Sequence, residues 1–219
     1  MQSYDFGVNK MIFKFLSKIR SIYKLFITII VYKPIFNLIG AKTIIDTPLK
    51  IVNAQNIEIG NNVTIEKYAT IYSIGEYGSK TYNGKIHIGN NVYINNNCNL
   101  TAANKISIDD NVVIAANVSF FDFNHKYSDI NTPVKYSDLD ILGELLISKN
   151  CWIGMNVVIV GNIELGENCI VGANSVVTKS FPKNTVIAGN PAKIIKKYDD
   201  TDKRWKKVNK QGNILDEIQ

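Results

Sequence analysis

Aliphatic side chains recur at every sixth position through much of this chain. From Ile147 the sequence divides without a slip into ISKNCW, IGMNVV, IVGNIE, LGENCI and VGANSV, followed by Val177. The same frame runs as IGNNVT-IEKYAT from Ile59, IGNNVY-INNNCN-LTAANK from Ile88 and IDDNVV-IAANVS from Ile108. A fixed short period outranks local propensity and marks a repeat architecture.

The polar positions are equally regular. In ten of the twelve complete hexamers the fourth residue is asparagine: Asn62, Asn91, Asn97, Asn111, Asn117, Asn150, Asn156, Asn162, Asn168 and Asn174. Asparagine is the non-glycine residue that best tolerates left-handed backbone angles, so each hexamer is expected to turn a corner there. The short segments between corners are rich in β-branched residues and read as strands. Strands turned at regular intervals and stacked coil on coil make an all-β solenoid. Three hexamers would close one triangular coil, with neighbouring coils about 4.8 Å apart. The leading aliphatic then points inward. So does the small fifth residue, at Val63, Val92, Cys98, Val112, Val118, Cys151, Val157, Ile163, Cys169 and Ser175.

The frame breaks at two long stretches. Residues 73–85, "SIGEYGSKTYNGK", and residues 121–145, containing "FDFNHKYSD", read as loops, and loops on a rigid scaffold are where function tends to sit. A two-residue slip separates the hexamers led by Leu100 and Ile108. Ahead of the repeat, residues 10–32 read as one amphipathic helix. At about 100° per residue Lys10, Lys14, Lys18, Arg20 and Lys24 share a polar face with Ser17, Ser21 and Thr28, opposite Ile, Phe, Leu and Tyr. Five basic residues argue against a membrane-spanning helix. Contact with an anionic membrane surface and packing on the end of the solenoid both remain open for it.

Composition adds a few constraints. With 219 residues, 46% of them hydrophobic, the chain can bury a core. Its net charge of +6 suits anionic partners, yet there is no zinc-ligand spacing and no aromatic-basic motif, so nucleic acid is not expected. Three cysteines without a CxxC argue for a reducing compartment, and all three occupy the inward fifth position, where buried thiols are poor nucleophiles. The apolar N-terminal stretch starts late and lacks a small-residue cleavage site, so it is not read as a signal peptide. The expected location is cytoplasmic, including the inner face of a membrane.

The [LIV]-G-x-N-x-x motif, the closing "VIAGNPAKIIKK" and the run from Ile147 resemble the hexapeptide-repeat acyltransferases, over about residues 50–198. The resemblance is to the galactoside and maltose type of sugar O-acetyltransferase. It implies a left-handed parallel β-helix, with residues 1–45 as a helical segment, 46–195 as the β-helix carrying loop 121–145, and 196–219 as a tail. It also implies a homotrimer, acetyl-CoA as acyl donor and a carbohydrate acceptor.

The resemblance places roles on particular residues. His125, at the base of the second interruption, matches the family's catalytic histidine. A neutral imidazole can take the proton of an attacking hydroxyl, a contribution of about 10² to 10⁴ in rate. Asn95 and Asp122 are implied at the acceptor. Trp152, Met155, Ala173, Thr178, Lys179 and Lys193 are implied along a coenzyme A groove between subunits, the lysines pairing with phosphates. At Met155 relatives often carry a serine that assists the thioester carbonyl. Methionine cannot donate, which leaves that role to a backbone N–H. At Ala103 relatives carry an aspartate near the acceptor. No metal is expected. The γ-class carbonic anhydrases share the fold but hold zinc with three histidines, and this chain has two, of which His87 should face outward on a strand.

The function these features predict is acetyl-CoA-dependent O-acetylation of a carbohydrate hydroxyl, in surface polysaccharide or a lipid-linked precursor. N-acylation of an amino sugar or nucleotide sugar and a non-catalytic binding solenoid are the alternatives.

Overall fold

The computed structural model describes residues 5–209 and 212–215, with side chains from residue 12 onward. The repeat folds into three parallel sheets that the chain visits in strict rotation through six rounds. One round runs through Lys105–Ile108 in the first sheet, Val113–Ile114 in the second and Ser119–Phe121 in the third. Each strand pairs in register with its counterparts one round away, as in Ile86↔Ile106↔Leu145. The leading residues Ile59, Ile94, Leu100, Ile114 and Ile159 are fully buried, and so are the fifth-position Val63, Val112, Val118, Val157 and Cys169. Each buried aliphatic contributes about 1.5–3 kcal/mol, and one continuous cluster runs through the rounds. Cys98, Cys151 and Cys169 lie inside it as free thiols, and burial pushes the Cys98 thiol up to about 11.

Nine of the ten repeat asparagines have the expected left-handed backbone, with φ between 55° and 61°. They occupy two of the three corners in each of the last four rounds and one corner of the second, where Tyr68 takes the other at φ 64°; the first round has Lys42 and Thr47 at these places. The asparagine side chains form ladders from coil to coil. Between first and second sheets, Asn62 donates to Asn91, Asn91 to Asn111, Asn111 to Asn150 and Asn150 to Asn168, at 2.9–3.3 Å. Between second and third sheets, Asn117 donates to Asn156 and Asn156 to Asn174, each at 3.0 Å. Asn162 is the exception to the expected corner. Gly161, with φ 129°, takes the turn, and the Asn162 side-chain Oδ1 accepts the Glu144 N–H at 3.1 Å.

The third corner, from third sheet back to first, is built differently each time. Both long interruptions stand there, as do the slip at residues 103–104 and the Gly161 turn.

The N-terminal helix α1, Asp5–Ile27, starts earlier than the amphipathic pattern and passes into a π-helical turn, Thr28–Tyr32. Only its end is seated on the sheets. Thr28 is buried and accepts the Ile45 N–H at 2.9 Å, and Lys24 pairs with Asp46 at 2.7 Å. The strands begin at Leu38–Ile39, inside the segment read as helical from sequence. At the other end the tail is also structured. Lys193–Asp199 and Arg204–Lys207 extend the second sheet antiparallel, with Trp205 edge-on to Tyr198 at 5.5 Å.

Candidate active site

The extension at the irregular edge grows from a buried aspartate. Strand Ser119–Phe121 ends at Asp122, which is 0% exposed. Its two oxygens accept the Ala103 and Asn104 N–H groups, each at 2.8 Å. Burial pushes its carboxyl up, against the pull of these backbone N–H groups. Asp122 therefore ties the extension to the 103–104 turn beneath it. Its carboxylate is enclosed by these contacts.

From there the chain forms an antiparallel ribbon, Phe123–His125 against Leu139–Ile141, with His125 opposite Leu139. His125 is thus on a short strand inside what the sequence presents as a loop. The first interruption also forms a hairpin, Glu76–Tyr77 against Lys80–Thr81. The two interruptions clasp each other. The Leu139 N–H donates to the Tyr82 hydroxyl at 2.8 Å, and Lys80 pairs with Asp138 at 3.3 Å. Ile74, Ala103 and Leu139 are buried under the clasp, with Tyr72, Tyr77, Tyr82 and Phe123 packed around them.

This clasp holds the histidine. The Tyr77 ring meets the His125 ring edge-on at 5.3 Å, and Phe123 lies at 6.4 Å. His125 Nδ1 is buried and has no hydrogen-bond partner among the described residues. Tyr77, Tyr82 and Asp138 are not identified by the sequence reading. The available signal is that both interruptions follow a third-sheet strand, which stacks them on one edge.

The other residues of interest form two groups. Asn95, Met155 and Ala173 lie at the corner between second and third sheets, beside the exposed Trp152 of the second. Here the Asn95 N–H donates to the Ile114 carbonyl and Asn174 to the Met155 carbonyl. The Asn95 side chain accepts the Asn96 N–H at 2.7 Å. Thr178 and Lys179 follow Val176–Val177, at the far end of the third sheet. Lys179 and Lys193 line one groove of about 400 Å³ with Ser180, Phe181, Pro182 and Ile194, and the Lys179 ammonium lies 5.6 Å over the Phe181 ring. Asn95 precedes its third-sheet strand and His125 follows its own, with Asn99 level with Ser119. Within one chain the third sheet therefore keeps these two residues at opposite edges. His87 faces outward on the first sheet, 3.3 Å from Glu58.

Comparison with known proteins agrees with this architecture. Residues 146–179 match the bacterial transferase hexapeptide family (six repeats). The chain is 33% identical over 171 residues to an Escherichia coli (strain K12) protein provisionally named lipopolysaccharide biosynthesis O-acetyl transferase WbbJ, covering 75% of this chain and 84% of that one. Two further acetyltransferase relatives are spanned over 60% of their length. A maltose O-acetyltransferase from Clostridium difficile 630 superposes with a TM-score of 0.51 at 31% identity, covering 77% of this chain and 73% of that one. The N-acyltransferase AntD from Bacillus cereus, solved with dTDP and coenzyme A, shares the fold, with a TM-score of 0.63 at 24% identity over 77% and 88% of the chains. The chain belongs to the hexapeptide-repeat transferase family, and within it to the acetyltransferases.

Proposed function

We propose that this protein transfers an acetyl group from acetyl-CoA to a carbohydrate hydroxyl, with His125 as general base. The protein is read as a left-handed parallel β-helix that works as a homotrimer. The observation that carries the reading is the imidazole of His125 held edge-on by Tyr77 on a short strand, at the edge where the repeat is broken. The names of two relatives, a lipopolysaccharide O-acetyl transferase and a maltose O-acetyltransferase, support a sugar hydroxyl as acceptor.

The chemistry needs three things. The hydroxyl oxygen forms a bond to the thioester carbonyl carbon, and its proton passes to His125. The carbon–sulfur bond then breaks, and the proton returns to the leaving thiolate, so donor and acceptor balance as ester and free thiol. The negative oxygen formed between these steps requires a donor. Met155 has none in its side chain, so a backbone N–H takes that part. Lys179 and Lys193 sit in one groove, suited to the phosphates of the nucleotide end.

The separation of the two groups supports a shared site. The edge with Asn95, Trp152, Met155 and Ala173 in one copy would face the edge with His125 in the next, with Asp122 and Tyr77 positioning the histidine. Incubation with acetyl-CoA and a panel of sugars, amino sugars and lipid-linked oligosaccharides, followed by free thiol and product mass, tests the reading. His125→Ala should lower turnover by about 10² to 10⁴ with coenzyme A affinity nearly unchanged. Full turnover in that variant would overturn the assignment.

A further inference from the structure

The positive charge of this protein is concentrated in one place. Seven of its 25 Lys and Arg residues and none of its 19 Asp and Glu residues fall within residues 6–45. That segment carries +7 and the rest of the chain −1, against +6 overall. Most of the segment is helix α1, which the sheets leave largely uncovered. Beyond its seated end, residues 12–23 are all exposed, including Phe13 at 74%, Phe15 at 64% and Ile22 at 60%. At about 100° per residue, Phe15, Leu16, Ile19, Ile22, Tyr23 and Phe26 form one arc, flanked by Lys18 on one side and Arg20 on the other, with Lys14 further round. Lys14, Lys18 and Arg20 have no ionic partner among the described residues.

Aromatic and aliphatic side chains exposed along one arc are unfavourable in water, and a soluble monomer seldom keeps such a surface bare. Charge decides what covers it. A second copy of the helix would bring one basic segment against another. The remainder of the chain, at −1, offers little to neutralise it. An anionic bilayer supplies both missing partners, an apolar layer for the arc and negative headgroups for the lysines.

We propose that helix α1 is a peripheral docking arm for an anionic lipid surface, lying in the interface while the sheets stay in water. The ion pairs from Lys24 to Asp46 at 2.7 Å and to Glu66 at 3.5 Å fix the base of the arm, so the body is carried at a set place on the bilayer. No helix among the described residues is long and apolar enough to cross a membrane, and this arm has no need to.

The full chain is sedimented with vesicles of phosphatidylcholine alone, or with about 30% phosphatidylserine, at about 50 mM and about 500 mM salt. The readout is vesicle binding, so it is independent of the acetyl-transfer reading. Wild type should pellet with the anionic vesicles at low salt, and not with neutral ones, and high salt should release it. Each basic side chain removed should weaken binding about fivefold, so Lys14→Glu with Lys18→Glu should lose at least about 25-fold. Phe15→Ser with Ile19→Ser should also lose binding, and thermal melting shows whether each variant is folded. No pelleting of wild type at low salt overturns the proposal, as does binding that the charge reversal leaves intact. A serine variant that changes oligomeric state but still binds vesicles would assign the arc to a contact between copies and also overturn it.

Discussion

Two corners of each of the last four rounds are alike, and the third corner is different almost every time. At the regular corners, asparagines with φ near 60° stack into ladders, and the side chains do little beyond holding the next coil. At the irregular corner the chain pushes out hairpins, buries an aspartate and holds a histidine with an unpaired nitrogen. Uniform stacking supplies stability, because each turn repeats the same buried contacts. A site requires unlike groups to converge, and within one chain only the interrupted edge brings a histidine, a buried aspartate and aromatic rings together. Substitutions at the two kinds of corner should therefore separate stability from activity.

The largest structural effect is expected where the irregular edge is rooted. Asp122→Ala leaves the buried Ala103 N–H without its acceptor, at about 1–3 kcal/mol, and the part-buried Asn104 N–H at less, and loosens the base of the extension. Thermal melting should fall by several degrees and turnover should fall with it. An unchanged melt would mean that the extension is held without Asp122.

The seat of α1 offers a control distant from both kinds of corner. Burial works to raise the Asp46 carboxyl, but hydrogen bonds from Lys24 and Thr47 and the Lys24 charge outweigh it and hold it below its ordinary value. A depressed carboxyl adds stability above its unfolded value, and that stability is lost as pH falls through the folded value. Asp46→Asn should cost about 1–3 kcal/mol at pH 7, between the values for an exposed and a fully buried pair. The gap to wild type should close below about pH 4, near the ordinary carboxylate value. Parallel unfolding curves down to pH 2 would contradict the charged lock.

Tyr77 sharpens the comparison from the activity side. Its ring touches His125 but lies on the first hairpin, so Tyr77→Ala should lower kcat by about three- to tenfold, the scale of one lost aromatic contact. Tyr77→Phe should restore most of it, because edge contact needs the ring and not the hydroxyl. Equal kcat in all three would show that the hairpin does not position the base.

The smallest effect on turnover should come from the regular corner. Asn156→Ala keeps a β-carbon in the left-handed region without the polar side chain that makes it tolerable, and breaks two ladder bonds, for about 1–2 kcal/mol. Asn156→Gly keeps the backbone free and should recover most of that. Measured turnover per folded molecule should stay at wild type in both.

The regular part of this contrast is legible in the sequence because its period is short and its positions are chemically distinct. Inward leaders, small fifth residues and corner asparagines each carry one physical demand, repeated often enough to read. Asn162 breaks the rule because a neighbouring glycine takes the turn, which the hexamer pattern alone does not reveal. His125 stands out because the repeat stops there. The clasp is hidden, since nothing local in residues 73–85 says that Tyr77 and Tyr82 will meet residues 125 and 139, more than forty positions away. The separation of Asn95 from His125 is hidden as well, because which side of a strand a corner residue occupies depends on the winding of the whole chain. The strands at Lys193–Asp199 and Arg204–Lys207 escape a sequence reading that stops with the repeat.

The central claim is that the irregular edge of one copy works against a regular edge of the next. The most direct measurement is acetyl transfer by mixed assemblies. Chains carrying His125→Ala are co-expressed in equal amounts with chains carrying Ala173→Trp, which crowds the opposite edge and leaves the histidine intact. Each variant alone should be nearly inactive. In random trimers about a quarter of the shared sites combine a sound His125 with a sound facing edge, so the mixture should recover about a quarter of wild-type turnover. A mixture no more active than the mean of the two variants would show that each chain carries its site alone.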